Sequence, residues 1–215
     1  MHRISISSFS IGIIYLFHLS ALIGISLGYW DWFLDKTWIN LLVTFALFAN
    51  VYPIKNITTI KIASLIFIIG FSAEWLGVNF GLIFGSYSYG ENLGLKIQGV
   101  PLLIGINWIL LTFASRAISV KAFQNPFFQV LAASLLMVFV DILIEPVAPR
   151  IGFWTFSDVI APFSNYIGWF LIAAIIQMIL ERTKTTGNFQ LSLHLILIQI
   201  VFFGYLVLLF KTNQV

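Results

Sequence analysis

The sequence predicts an all-α, polytopic membrane helical bundle of about seven transmembrane helices. Hydrophobic residues make up 60% of the 215-residue chain and charged residues only 9%, and the mean hydropathy is +1.01. The apolar stretches are continuous rather than alternating, which favours spanning helices over the strands of a membrane barrel. At this length we expect a single integral membrane domain over residues 1–215.

A spanning helix needs roughly 20 mostly apolar residues, and seven segments come close to this length. The second segment is the shortest. The first contains His18 and lacks a clear small-residue cleavage site, so it is predicted to be a retained helix rather than a signal peptide. The predicted spans are Phe9–Tyr29, Thr37–Tyr52, Ile60–Phe84, Pro101–Ile118, Phe127–Val147, Phe163–Leu180 and Gln190–Phe210.

The basic residues are divided unevenly between the two faces of such a bundle. Cytoplasmic loops of membrane proteins carry an excess of Lys and Arg, so the face with more of them is predicted to be cytoplasmic. This is the face that holds the N-terminus. It carries Arg3, Lys55, Lys61, Arg116, Lys121, Arg182 and Lys184, against Lys36, Lys96, Arg150 and Lys211 on the other face.

Two connections on the outer face are rich in aromatic residues, Gly and Pro. They are Gly85–Gly99 (GSYSYGENLGLKIQG) and Ala148–Pro162 (APRIGFWTFSDVIAP). Each follows a helix that bears an acid, and we predict that they form matched lids. Glu74 leads into FGSYSYG as Glu145 leads into IGFWTF, which suggests a parallel internal repeat.

Three of the eight acidic residues, Glu74, Asp141 and Glu145, lie within or at the end of apolar segments. A carboxyl group in hydrocarbon costs several kcal/mol unless it is paired, protonated or in contact with a wet cavity. Counted from the predicted helix ends at about 1.5 Å per residue, Glu74 lies ~15 Å deep, and Asp141 and Asn107 ~9 Å deep. Three helices are therefore expected to present polar groups to one pocket in the outer half of the membrane.

Asp141 and Glu145 are four residues apart and share one helix face. Two carboxylates so close together in a low dielectric resist double ionisation, so one of them is expected to keep its proton near neutral pH and to act as a proton donor. Structural alternatives remain. Each acid could bond a neighbouring helix, Glu145 could end its helix before Pro146, and Asn107 could link helices.

Composition excludes several chemistries. The absence of cysteine excludes disulfides, Fe–S clusters, thiolate zinc sites and cysteine nucleophiles. The histidines, His2, His18 and His194, show no HxxxH or HxxHH spacing, which weighs against His-rich diiron hydroxylases and ketolases. A lone membrane histidine such as His18 is usually an interhelical partner, with a proton relay as the alternative. The net charge of +3 is too small and too scattered to indicate nucleic acid.

The segment from Glu74 to Trp108, EWLGVNFGLIFGSYSYGENLGLKIQGVPLLIGINW, resembles the signature of the carotenoid biosynthesis membrane protein family. That family includes the CruF-type carotenoid 1,2-hydratases and the bisanhydrobacterioruberin hydratases of haloarchaea. The segment from Asp141 to Phe156, DILIEPVAPRIGFWTF, followed by NYIGW, resembles its second block. The resemblance predicts an aspartate before the proline there. This chain has Glu145, which keeps the carboxyl group.

The resemblance implies acid-catalysed addition of water to the terminal C1–C2 double bond of an acyclic carotenoid end group, of the lycopene, γ-carotene or bacterioruberin-precursor type. No metal or redox cofactor is then needed. Glu74 or Asp141 would donate the proton, and Glu145 would tune its neighbour or orient water. Asparagines would hold the water and aromatic faces would stabilise the cation. The predicted substrate-binding residues are Trp75, Asn79, Tyr87, Tyr89, Asn107, Trp108, Trp154 and Asn165.

Such a substrate is itself a bilayer lipid, so lateral access between helices is expected. The expected partners are membrane lipid, the carotenoid and other carotenoid enzymes, with no nucleic acid, and the expected location is the cytoplasmic membrane of a prokaryote. One alternative is a carotenoid cyclase or isomerase, which would form the same cation and lose a proton. A proton-coupled transporter is a third hypothesis, disfavoured because polar residues are sparse in the cytoplasmic half.

Overall fold

The architecture is described from a computed structural model that covers residues 5–52, 56–158, 160–185 and 187–212. Within these ranges, seven helical segments are long and apolar enough to cross a membrane, which confirms the predicted polytopic bundle. The second segment, Trp30–Val51, consists of a short helix followed by a longer one. The helices are α1 (Ile6–Ser26), α2 (Trp30–Leu34), α3 (Thr37–Val51), α4 (Ile57–Phe80), α5 (Leu102–Ala122), α6 (Pro126–Ile144), α7 (Phe163–Arg182) and α8 (Phe189–Thr212).

Side-chain caps define where several of these helices begin. The hydroxyl oxygen of Ser5 accepts a hydrogen bond from the Ser8 backbone N–H at 3.0 Å at the start of α1. Asn56 accepts from the Thr59 N–H at 2.7 Å before α4. At α6 the cap is Asn125, and Pro126 follows at the first helical position, where its missing N–H costs nothing.

Helix α4 ends at Phe80, four residues before the predicted Phe84, because Gly81 adopts a left-handed conformation with φ of 67°. Helix α6 likewise ends at Ile144 rather than at the predicted Val147. The predicted depths were therefore too great. Counted from the observed helix ends at about 1.5 Å per residue, Glu74 lies ~9 Å and Asp141 ~5 Å from the lid-facing end.

Helix α5 is the centre of the bundle. It contacts α3, α4, α6, α7 and α8. In its most apolar stretch 78% of the residues are buried, against at most 44% in any other described span. A residue on α5 can therefore face several helices at once, which is why this helix contributes to every cavity described below.

The two predicted lids meet as a small antiparallel sheet. Strand β1 (Tyr87–Tyr89) pairs with strand β4 (Trp154–Phe156), with Tyr87 opposite Phe156 and Tyr89 opposite Trp154. Within the first lid, a 3₁₀ turn (Glu91–Leu93) precedes a two-residue hairpin of β2 (Lys96–Ile97) and β3 (Val100–Pro101). Both lids thus cover the same end of the bundle.

The lid sheet also gives the register of the internal repeat. Tyr87 lies thirteen positions after Glu74, and Trp154 lies thirteen positions after Asp141. The two strands pair antiparallel, with Ser88 opposite Thr155 at the centre. A local two-fold axis that relates the two repeat units would produce this arrangement. The counterpart of Glu74 is therefore Asp141, and not Glu145 as the sequence pattern suggested.

A buried ion pair joins α5 to α7 in the half of the bundle away from the lids. The Arg116 guanidinium donates to the carboxylate of Glu181, whose other oxygen accepts from Lys184. The Arg116 side chain is 2% exposed and that of Lys184 75%. Glu181 is therefore paired with one buried cation, Arg116, and one exposed cation, Lys184.

Candidate active site

Glu74 is surrounded by three hydrogen-bond donors. Its Oε2 accepts from the Tyr87 hydroxyl at 2.5 Å and from the Tyr89 hydroxyl at 2.8 Å. Its Oε1 accepts from the indole Nε1 of Trp108 at 3.0 Å. An indole N–H can only donate, so Glu74 is fixed as an acceptor although its side chain is almost completely buried.

The close approach of Tyr87 to α4 depends on a glycine. A Cβ atom at Gly77 would lie 2.8 Å from both Cε1 and the hydroxyl oxygen of Tyr87. Such a contact is far shorter than van der Waals packing allows. The absence of a side chain at residue 77 therefore lets the lid tyrosine reach the Glu74 carboxyl.

The second cluster of polar groups is built around Asn165 on α7. Its Nδ2 donates to Oδ2 of Asp141 at 3.0 Å and to Oε1 of Glu145 at 3.2 Å. The two hydrogens of one amide thus hold two carboxyl groups side by side. Trp154 completes this cluster, with its Nε1 3.3 Å from each oxygen of Glu145. Among the described residues, Oδ1 of Asp141 has no hydrogen-bond partner.

Burial raises the pKa of Glu145 to about 7, and the charge of Glu74 adds to the rise, while hydrogen bonds from Trp154 and Asn165 oppose it. Glu145 is therefore poised to gain or lose a proton near neutral pH. Burial, together with Glu74, also raises the pKa of the Tyr87 and Tyr89 phenols. Both tyrosines accordingly remain neutral hydrogen-bond donors.

The acids enclose a small chamber of about 20 Å³ beneath the lid sheet. A cavity needs roughly 10–15 Å³ to hold one water molecule, so the chamber has room for about one. Among its lining residues, Asn107 has no side-chain partner within the described part of the chain. The lining consists of Glu74, Phe84, Tyr87, Tyr89, Ile104, Asn107, Trp108, Leu111, Asp141, Ile144, Glu145, Trp154, Phe156, Asn165 and Trp169.

A second cavity, of about 470 Å³ and mainly apolar, adjoins the chamber. It lies among α1, α2, α3, α5, α6 and α8. Leu16, Phe17 and Ile39 on its wall are also exposed on the outer surface of the bundle, where lipid would lie. The cavity shares with the chamber the residues Ile104, Asn107, Leu111, Ile144 and Trp154.

Most of the predicted site residues come together at the chamber. Glu74, Asp141 and Glu145 line it, as do Tyr87, Tyr89, Asn107, Trp108, Trp154 and Asn165.

Trp75 and Asn79 do not line it. They lie on another face of α4, where Trp75 Nε1 donates to the Gln98 side chain and Asn79 Nδ2 donates to the Gln98 carbonyl at 3.1 Å. Helical rotation of about 100° per residue turns both away from the face of Glu74.

Sequence reasoning missed Trp169 and the wall of the large cavity. Trp169 stacks on Trp108 with ring centroids 4.2 Å apart and 10° between the planes. Gly168-Trp169 follows the second lid along the chain as Asn107-Trp108 follows the first, which was a usable signal. His18 lines the large cavity and donates from Nδ1 to the Ile14 carbonyl at 2.8 Å.

In the described ranges, no group of three or more His, Asp or Glu side chains is arranged to hold a metal ion.

The sequence model of the family described as "Carotenoid biosynthesis protein" matches residues 36–214. This chain belongs to that family. The match extends over α3 to α8, including both lids and all residues that line the chamber. The protein is thus an integral membrane protein of carotenoid biosynthesis.

The chain is also similar to the bisanhydrobacterioruberin hydratase of Haloarcula japonica. The two are 26% identical over 125 residues, which cover 52% of this chain and 41% of that relative. This chain therefore matches less than half of the relative's length. No solved structure matches this chain.

Proposed function

We propose that the protein is a carotenoid hydratase, which adds water to the terminal C1–C2 double bond of an acyclic polyene. The observation that carries this proposal is the junction between a water-sized chamber lined by carboxyl groups and an apolar cavity more than twenty times larger. The similarity to a hydratase supports it. The chamber has room for a water molecule but not for a polyene end, so the polyene would lie in the large cavity with its terminal alkene at the wall that the two cavities share.

Asp141 is the better candidate for the proton donor. The oxygens of Glu74 already accept hydrogen bonds from three donors, whereas Oδ1 of Asp141 has no partner in the described part of the chain. A proton on that oxygen can point at the alkene. Transfer to C2 breaks the O–H bond of Asp141 and the π bond of the alkene, and leaves a tertiary cation at C1.

The cation would lie beside electron-rich groups. The ring of Trp154 lines both the chamber and the large cavity and can face the cation, and the Glu74 carboxyl presents acceptor oxygens from the chamber side. Water held by Asn107 then forms the C1–O bond. Its surplus proton passes to Glu145, which Asn165 holds next to Asp141, and returns to Asp141 for the next turnover. The net change is the addition of one water.

The substrate would come from the bilayer through the lipid-facing wall of the large cavity, near Leu16, Phe17 and Ile39. We also propose the cytoplasmic membrane of a prokaryote as the location, with the N-terminal face in the cytoplasm, on the basis of the Lys and Arg distribution. The partners would be membrane lipid, the carotenoid and the enzymes that supply or consume it.

The test is expression of the chain in a bacterium that makes lycopene, followed by chromatography and mass spectrometry of the pigments. Hydration adds the mass of one water per reacted end, whereas cyclisation or isomerisation leaves the mass unchanged. Asp141→Asn should abolish the product while the protein still accumulates. The matched control is Glu91→Gln, an amide substitution of a lid carboxyl that is 90% exposed and outside the chamber.

Two outcomes would refute the proposal. One is a modified pigment of unchanged mass, which would favour the cyclase or isomerase alternative. The other is full product formation by Asp141→Asn and by Glu74→Gln, because the chemistry would then have no buried acid to depend on.

A further inference from the structure

The large cavity is shorter than the substrate that the proposed function assigns to it. On α1 its wall extends from Leu16 to Ile25, which is ~13 Å along the helix, and on α3 it extends from Thr37 to Thr44, which is ~10 Å. A fully extended C40 polyene is about as long as the ~30 Å hydrocarbon core of a bilayer is thick. The cavity therefore encloses less than half of such a chain.

The volume of the cavity leads to the same limit. An apolar cavity of about 150 Å³ holds one benzene ring, which has six carbon atoms. At that density a cavity of about 470 Å³ holds roughly 15–20 carbon atoms, or three to four isoprene units. The rest of the polyene would lie in the bilayer beyond Leu16, Phe17 and Ile39, which are exposed on the outer surface. The protein can therefore recognise only the end of the chain.

The reaction involves an even smaller part of the substrate. In an acyclic carotenoid, the saturated carbons C3 and C4 separate the C1–C2 double bond from the conjugated system, so conjugation does not stabilise a cation at C1. Asn107 and Trp154 line both the chamber and the large cavity, and Asp141 and Glu145 lie on the chamber side. These groups would act on an isolated trisubstituted alkene. Every isoprenoid chain with an isopropylidene end carries the same alkene.

We propose that the protein also hydrates the isopropylidene ends of non-conjugated isoprenoid hydrocarbons, with squalene as the representative substrate. The inference rests on the proposed function, because it uses the same acid and the same water. The three isoprene units at each end of squalene carry their methyl branches at the same spacing as the first three units of lycopene. The part of squalene that fits the cavity thus differs from that of lycopene in saturation and not in branching.

The step is balanced as for the polyene. The O–H bond of Asp141 and the π bond of the terminal alkene break, and a C–H bond forms at the less substituted carbon. Water then forms the C–O bond at the tertiary cation, and its surplus proton returns to Asp141 through Glu145, which Asn165 holds beside it. The product is a tertiary alcohol that is heavier than squalene by one water.

Squalene and lycopene differ in flexibility. The conjugated segment of lycopene is rigid, whereas the single bonds of squalene must be ordered when the chain enters the cavity, and this ordering weakens binding. We expect kcat/KM to be about tenfold lower for squalene than for lycopene. The loss should lie mainly in KM, because the reacting alkene meets the same groups in both substrates.

The test uses the full chain, purified in detergent, with lycopene and squalene as separate substrates and mass spectrometry of the products. Squalene should gain one water, and Asp141→Asn should abolish this product. Ala21→Phe adds a ring to the α1 wall of the cavity and should lower the conversion of both substrates to a similar degree. Ala46→Phe is the matched control, because Ala46 is exposed on α3 and does not line the cavity.

Squalane, the saturated hydrocarbon with the same branches, completes the design. It has no alkene to protonate, so it should not be converted, but it should compete with lycopene for the cavity. Squalane that fails to compete would overturn the inference, because the cavity would then select the conjugated chain.

Conversion of lycopene without conversion of squalene would also overturn the inference and leave the proposed function intact. The same holds if Ala21→Phe removes the conversion of lycopene and not that of squalene, because the two substrates would then not share the cavity. If neither substrate gains water, the proposed function itself is wrong, and this activity with it.

Discussion

The indole of Trp108 lies flat on that of Trp169, with 4.2 Å between ring centroids. The stack joins α5 to α7 at the wall of the acid chamber, and Trp108 at the same time donates its N–H to Glu74. The two rings differ in this respect, since the N–H of Trp169 bonds no described residue. One aromatic pair therefore combines a structural contact with a hydrogen bond to an acid.

This difference gives a matched test at the two tryptophans. Trp108→Phe keeps an aromatic ring and removes the donor to Glu74, whereas Trp169→Phe removes no hydrogen bond. We expect Trp108→Phe to lower product formation in pigment-producing cells by about tenfold or more, the value of a hydrogen bond to a charged group. Trp169→Phe should retain most of the activity. Equal losses in the two variants would mean that ring packing alone matters.

Gly77 offers a test of the lid contact. Ala at residue 77 would bring a Cβ to 2.8 Å from the Tyr87 ring, so the tyrosine must move away from Glu74. Gly77→Ala should therefore reduce product formation at least about tenfold, by loss of one charge-assisted hydrogen bond. Gly12→Ala is the control, because a Cβ there meets no atom within 4 Å. Normal activity of Gly77→Ala would show that the Tyr87 contact is dispensable.

The raised pKa of Glu145 predicts a pH-dependent stability. Burial raises this pKa from 4.5 in the unfolded chain to about 7 in the folded protein. The folded state therefore binds more protons between these values. The stabilising contribution, at most roughly 3 kcal/mol, is complete below pH 4.5 and is lost as the pH rises through 7.

The measurement is the Tm of the purified protein in detergent from acidic to mildly alkaline pH. Glu145→Gln should give a flatter curve than the parent protein, because the amide does not titrate. Above pH 7, where the parent protein buries a carboxylate, Glu145→Gln should have the higher Tm of the two proteins. An unchanged slope in Glu145→Gln would assign the pH dependence to other groups.

Glu181 contacts one buried and one exposed cation, and we expect the two contacts to contribute differently to the free energy of unfolding. Glu181→Gln leaves the Arg116 guanidinium, 2% exposed, without its acid, and should lower the free energy of unfolding by about 3–5 kcal/mol. Lys184→Gln removes a partner that is 75% exposed and should cost no more than about 1 kcal/mol. Denaturant unfolding in mixed micelles checks both. A double variant, Arg116→Met with Glu181→Leu, should recover stability.

The orientation in the membrane can be tested directly, because the chain contains no cysteine. Ser88→Cys places a thiol in the lid sheet, and Gln124→Cys places one in the exposed turn between α5 and α6. From the distribution of basic residues, an impermeant maleimide should label Ser88→Cys on intact cells and Gln124→Cys only after lysis. The reverse pattern would invert the topology.

Several features could be read from the sequence because they depend on local composition. Continuous apolar segments determine spanning helices, since every backbone polar group in lipid must be bonded within the segment. The cost of burying charge made Glu74 and Asp141 identifiable as candidate site residues before any contact was known. The aromatic lids were recognisable because they interrupt the hydrophobic runs.

Other features depended on tertiary contacts. Only the pairing of β1 with β4 brings Tyr87 and Trp154 over the same chamber, and only helix rotation removes Trp75 and Asn79 from it. The large cavity with His18 and Gln199 has no sequence pattern, because its wall is assembled from helices far apart in the chain. The local sequence thus determined which groups are buried in the membrane. The packing of distant helices decided which of those groups face each other, because hydrogen bonds form between neighbours in space and not in sequence.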